Sequence, residues 1–243
     1  MTVAPTPVRR HAQRRLLVWI VGGLALIAIG IGIGLVVDSE ILESSSNSSA
    51  VQGSGVAATQ TREVSAFTGV ELAGANDVTV RAGRERSVAV HGDDNLLGRV
   101  TTEVEDGNLV IGLTPGSFET KSPMRVEVSV PSLEDLTLTG SGILSITGIE
   151  AESMKVTLSG SGIVRASGTV TRLDVDVPGS GEAELGKLVA RDVKAVVSGS
   201  GLLLVTAAES LDASVSGSGA ILYGGNPADV ATSITGNGAI TPR

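Results

Sequence analysis

Gly-Ser-Gly recurs at 140–142, 160–162, 179–181, 199–201 and 217–219, and Gly236-Asn237-Gly238 closes the series. The first glycines are 20, 19, 20, 18 and 19 residues apart. A unit this short cannot bury its own apolar side. It does so only when stacked against its neighbours, so the period points to a repeat architecture.

The flanks of the tripeptide repeat as well. Two positions before each first glycine stand Leu138, Leu158, Val177, Val197, Val215 and Ile234; four positions after it stand Leu144, Val164, Ala183, Leu203, Ile221 and Ile240. Period-2 alternation on both sides gives each unit two or three short strands with one face turned inward. A helical stripe of useful length is missing between the repeats, which disfavours crossover helices and leucine-rich-repeat horseshoes. Equivalent strands of successive units then pair in parallel at about 4.8 Å. The predicted fold is all-β, a parallel β-helix (solenoid) with coils of about 19 residues. In this reading the glycines supply unusual backbone angles at a corner. Ser141, Ser161, Ser180, Ser200 and Ser218 are structural, their hydroxyls forming a ladder or satisfying local backbone groups.

Residues 62–130 have the same texture with less regularity. Val70 and Leu72, Val78 and Val80, Val88 and Val90, Leu109 and Ile111, and Val126, Val128 and Val130 alternate between turn signals such as Gly92-Asp93-Asp94-Asn95 and Asp106-Gly107-Asn108. They are expected to be opening coils of the same solenoid together with its cap, Phe67 covering one end of the core. The β-helix domain is therefore drawn as 62–243.

Before it the chain changes character. Leu16 to Val37 contains no charged residue and is long enough to cross a bilayer as one helix. Arg9, Arg10, Arg14 and Arg15 precede it, and Asp38, Glu40 and Glu43 follow it. The positive-inside rule puts residues 1–15 in the cytoplasm and the C-terminal domain outside, in a single-pass arrangement at the cell membrane. A cleaved signal peptide is the competing reading, but the apolar run is long for one, and Ser48-Ser49-Ala50 lies far downstream as a cleavage site. Gly30 and Gly34 form a G-x-x-x-G through which two such helices could self-associate weakly. Residues 38–61, rich in Ser and Gly, are expected to be a flexible linker.

Composition removes several function classes. The chain has no cysteine, which excludes disulfides, thiolate metal sites and cysteine nucleophiles. Its aromatic residues are Trp19, Phe67, Phe118 and Tyr223, too few to build the stacking faces usual in a carbohydrate cleft or in a platform for single-stranded nucleic acid. Four of the 18 Lys and Arg precede residue 16, whereas all 26 Asp and Glu lie at or beyond Asp38. The remainder, with 14 basic against 26 acidic residues, repels polyanions as a whole, and no nucleic-acid partner is expected.

The run Arg62-Glu63-Val64-Ser65-Ala66-Phe67-Thr68-Gly69-Val70-Glu71-Leu72, then Asp77-Val78-Thr79-Val80, then Asp106-Gly107-Asn108-Leu109-Val110-Ile111, followed by serial Gly-Ser-Gly, resembles the bacterial head GIN domain family, described as putative auto-transporter adhesin. The resemblance spans about residues 62–241. It implies a right-handed β-helix outside the cytoplasm with an adhesin-like role, and it carries over no catalytic residue. A literal Gly-Ile-Asn triplet is absent; Gly142-Ile143, Gly162-Ile163 and Gly236-Asn237-Gly238 approximate it.

Chemistry sought from the residues themselves is sparse. His91 is the one histidine beyond the apolar run, so a Ser-His-Asp triad would have to use it; it is expected to be an exposed turn histidine beside Gly92. Neither G-x-G-x-x-G leading into a helix nor G-x-x-x-x-G-K-[ST] occurs, so no nucleotide cofactor is expected. Asp174, Asp176, Glu182 and Glu184 all turn outward on one coil. Their default reading is a solvated face. As a weak candidate cation site they would ligate calcium, and as paired acids they would cleave polysaccharide. The expected function is a non-catalytic, membrane-anchored adhesin-like surface for an unidentified extracellular or cell-envelope ligand. The alternatives are an envelope sensor or scaffold signalling through the N-terminal tail and a polysaccharide-active β-helix enzyme.

Overall fold

The computed structural model describes residues 50–243. The basic tail, the apolar run 16–37 with Gly30 and Gly34, and the linker up to residue 49 lie outside the described residues. Among the described residues no helix is long and apolar enough to cross a membrane.

The chain forms β1 (Val51–Gln52), β2 (Ala57–Thr61), β3 (Gly69–Leu72), β4 (Asp77–Ala82), β5 (Ser87–Asp93), a 3-10 turn (Leu97–Arg99), β6 (Val100–Glu105), β7 (Asn108–Leu113), β8 (Phe118–Glu119) and β9 (Arg125–Val130). The repeat region follows with β10 (Asp135–Leu138), β11 (Ile143–Leu158), β12 (Ile163–Val177), β13 (Glu182–Val197), β14 (Leu202–Gly217), β15 (Ala220–Gly225), β16 (Asp229–Gly236) and β17 (Ala239–Pro242). Apart from β1 and β8, which pair with each other, all strands belong to one 15-stranded sheet that coils into a solenoid of about five turns.

Alternation along each strand becomes columns across strands. Leu109, Val70, Leu136, Val156, Val175, Ala195 and Ala213 succeed one another in parallel register. So do Ile111, Leu72, Leu138 and Leu158 on the same face, and Val126, Val78, Leu144, Val164, Ala183, Leu203 and Ile221 on the next. These residues are buried almost completely and form one core. Each large aliphatic side chain so removed from water contributes roughly 1.5–3 kcal/mol, which is what holds otherwise short strands in a stack.

The unequal repeat lengths are absorbed at the corners. Ile146 pairs with Ala166, 20 positions on, whereas Ile149 pairs with Gly168, 19 positions on, and the shift falls between Ile146 and Ile149. Left-handed backbone is used at this second corner, with Gly148 at φ +78° and Gly168 at φ +141°. At the Gly-Ser-Gly corner left-handed backbone appears only in the last two turns, Gly217 at φ +142° and Gly236 at φ +112°, as expected of corner glycines; the earlier four turns work differently. Gly140, Gly160, Gly179 and Gly199 are not in the left-handed region; they are glycine for lack of room. A Cβ on Gly160 would collide with the carbonyl oxygen of Gly140, and one on Gly199 with that of Gly179. The intervening serines are exposed, and their backbone joins the coils, Ser200 N–H donating to Gly179 O at 3.2 Å.

Residues 62–130 are not simply further coils. Strands β3 and β4 pair in parallel with the repeat region through β10 and β11, and β7 and β9 continue those columns. Then the direction reverses: β6 runs antiparallel to β7, β5 to β9 and β2 to β5. Antiparallel pairing cannot propagate a parallel coil, so it caps that end of the stack, and Phe67 is buried there as expected. At the other end β16 is exposed along its whole length, with Val230 45% and Ile234 49% accessible.

Part of the expected linker is built into the domain. Residues 51–52 pair with 118–119 and residues 57–61 with β5. The ordered unit therefore starts before Arg62, because Asp93 and its neighbours clasp the segment in between.

Candidate functional site

Asp93 is fully buried at the end of β5. Its carboxylate accepts from the backbone N–H of Gly55 at 3.0 Å, Lys121 at 2.7 Å and Ser122 at 3.2 Å. Burial alone pushes its pKa up, but the backbone donors of Lys121, Ser122 and Gly55 outweigh that, and the net shift is downward. Asp94 and Asn95 extend the clasp: Ser54 Oγ donates to Asp94 at 2.5 Å, Ser54 N–H to Asn95 Oδ1 at 2.9 Å, and Asn95 Nδ2 to Gln52 O at 2.9 Å. Gly53 fits because any side chain there would overlap the Asp93 carboxylate. In the sequence the Gly-Asp-Asp-Asn run reads only as a turn; nothing in it shows which distant backbone groups it will hold.

His91 lies in β5, not in an exposed turn, and its side chain is 19% accessible. Thr59 Oγ1 is 2.8 Å from Nδ1, and Glu127 Oε1 is 3.8 Å from Nε2. The order hydroxyl, imidazole, carboxylate invites comparison with a catalytic triad. The second distance is too long for a hydrogen bond, and Glu127 is engaged by Arg81 at 3.3 Å and Arg125 at 3.5 Å. Those cations set its chemistry: the Arg81 hydrogen bond lowers the Glu127 pKa, burial opposes this, and His91 and Arg125 add to the lowering. The group is an ion cluster on the cap.

The four carboxylates on one coil do not converge. Asp174 and Asp176 belong to the end of β12, Glu182 and Glu184 to the start of β13, and the 179–181 corner turns the chain between them. Each has its own neighbours across the coils. Asp174 stands in register between Lys155 and Lys194, inside a column that reads Asp135, Lys155, Asp174, Lys194, Asp212. Asp176 lies between Thr157 and Val196, and Glu182 between Ile163 and Leu202. Glu184 accepts from Arg165 Nη2 at 2.8 Å and Nε at 3.1 Å, which holds the guanidinium pKa above its ordinary value. Among the described residues no group of three or more His, Cys, Asp or Glu is placed to hold a metal ion.

Fold and surface together define a capped parallel β-helix whose outer faces carry short ladders of charge and hydroxyl. The chain belongs to the family described as putative auto-transporter adhesin, head GIN domain, whose model matches residues 66–227. Among solved structures, a putative adhesin from Bacteroides fragilis is similar at 24% identity, TM-score 0.66, over 80% of this chain and 100% of that one. A putative lipid binding protein from Parabacteroides distasonis is similar at 25% identity, TM-score 0.51, over 80% and 99%. A putative adhesin from the same organism is similar at 22% identity, TM-score 0.52, over 80% and 100%. No curated protein matches the sequence.

Proposed function

We propose that this chain is a membrane-anchored, extracytoplasmic and non-catalytic β-helix, wound right-handed, that presents its outer faces as an adhesin-like binding surface. The observation that carries the reading is family membership over residues 66–227, in which adhesion is the described role. The arginines before Leu16, the apolar run to Val37 and the acidic residues after it support the anchor and the orientation. The non-catalytic reading is supported by the separate engagement of the carboxylates, Asp174 between two lysines and Glu184 on Arg165. The lipid-binding name of one neighbour is not carried over, because the interior columns are packed with side chains and a lipid would have to lie on an outer face.

The test has two parts. Protease added to intact cells should remove a C-terminal tag and spare an N-terminal one. Cells displaying the full chain should attach to envelope or host-surface material better than cells lacking it. Protection of the C-terminal tag overturns the orientation, and equal attachment overturns the adhesin-like role.

A further inference from the structure

Arg165, Lys187 and Arg243 line one groove of about 360 Å3 on the outer face formed by the starts of β11 to β14. Its walls also present the hydroxyl-bearing residues Ser145, Thr147 and Ser167. The volume lies in the range of small-ligand sites. Two glycines shape it. A Cβ on Gly186 would overlap the Arg243 guanidinium, and one on Gly224 would crowd its Nε at 3.2 Å. Without those side chains Arg243 folds back along the face, its backbone N–H on Tyr223 O at 3.0 Å and its Nη2 3.4 Å from Thr206 Oγ1.

The charge balance of the groove runs against that of the chain. Glu184 is the one carboxylate in its lining and is taken up by Arg165. Among the described residues neither Lys187 nor Arg243 has a carboxylate within ion-pair distance, although acidic residues outnumber basic ones beyond residue 37. Two cations without an ion-pair partner, over a row of hydroxyls in a concave site whose lining holds no aromatic ring, suit a ligand recognised by charge and hydrogen bonds and not by stacking, an oxyanion carried on a hydroxyl-rich molecule.

We propose that this groove binds an acidic glycan, its carboxylate or phosphate seated between Lys187 and Arg243 and its hydroxyls against Ser145, Thr147 and Ser167. The proposal rests on the adhesin-like reading for its biological setting and names the ligand class of that surface.

Isothermal titration of the full chain in detergent, tagged at its N-terminus, tests it with three probes: a galacturonate tetramer, a glycerol-phosphate oligomer and neutral maltotetraose. Saturable binding of a charged probe is expected, weakening as salt is raised. Lys187→Ala with Arg243→Ala should weaken it at least about tenfold, whereas Lys194→Ala on the other face should not. Both side chains lie at the surface, so the variant keeps its core. Preference for the tetramer identifies a carboxylate ligand, and preference for the oligomer a phosphate ligand. Absence of binding to both charged probes, equal binding by the double variant or equal binding of maltotetraose overturns the proposal. Cell attachment that survives in the double variant overturns the groove while leaving the adhesin-like reading intact; groove binding without any cell attachment does the reverse.

Discussion

Arg165 and Glu184 face each other across adjacent coils, with Nη2 and Nε of the guanidinium both donating to one carboxylate oxygen, at 2.8 and 3.1 Å. They are register partners in the parallel pairing of β12 and β13, so the stack itself sets their approach. Both side chains remain substantially exposed, at 43% and 36%. A double-mutant cycle of Arg165→Ala and Glu184→Ala, read by chemical denaturation, should therefore give a coupling of only about 0.5 kcal/mol that fades with salt. A coupling of several kcal/mol would mean the pair is buried in solution.

Core and corner should respond very differently. Val197 is fully buried between Val177 and Val215, so Val197→Asp leaves an unpaired charge inside and should cost several kcal/mol, about 3–5. Gly199→Ala, two positions on, meets the Gly179 carbonyl and should also be clearly destabilising. Ser200→Ala, on an exposed side chain between these glycines, should stay within about 1 kcal/mol. A ranking with Ser200 above either of the others would refute the register.

Neutralising Asp174, Asp176, Glu182 and Glu184 to Asn and Gln removes two favourable neighbourhoods, Asp174 between lysines and Glu184 on Arg165, and two with no cationic register partner. Stability should fall slightly, by about 1 kcal/mol or less, because the charges are exposed or half-exposed. Melting of the unsubstituted chain should not respond to calcium, since a ligand confined to the folded state would raise Tm by mass action. A saturable calcium shift that disappears in the quadruple variant would show that these carboxylates gather around a cation after all.

Asp93 makes stability depend on acid. Its folded pKa lies below the ordinary value of about 3.9, so its contribution is fully present above that value and is lost as pH falls through the lower, folded one. Glu127 acts in the same direction. Thermal melts should show a steep loss of Tm below about pH 4 that is shallower in Asp93→Asn. At neutral pH Asp93→Asn should expose residues 51–56 to limited proteolysis, because the amide offers one acceptor oxygen where the carboxylate offers two. An unchanged acid slope and an uncleaved segment would dismiss the clasp.

The repeat region was the legible part. Period-2 alternation on both sides of each Gly-Ser-Gly names the inward residues, Leu138, Leu158, Val177 and Val197 among them, and a unit of about 19 residues that cannot bury itself leaves stacking as the way to do so. Special backbone angles, the local reason for a corner glycine, hold at Gly217 and Gly236, whereas Gly140, Gly160, Gly179 and Gly199 are glycine for a reason the sequence does not carry. Steric contact between coils at Gly160 or Gly199 exists only once the coils are stacked, whereas a left-handed turn is a local property that any glycine suggests.

Local pattern thus determined the strands, their inward faces and their parallel stacking, because alternation and spacing are properties of contiguous residues. Tertiary structure alone decided which strands reverse to cap the stack, since Val88 and Val126 alternate alike whether paired parallel or antiparallel. It alone decided that Asp93 would hold Gly55 and Lys121, 38 and 28 positions away. It also put Lys187 and Arg243 on the walls of one groove, because packing of distant segments, and not the order of residues within any of them, sets which charges share a groove.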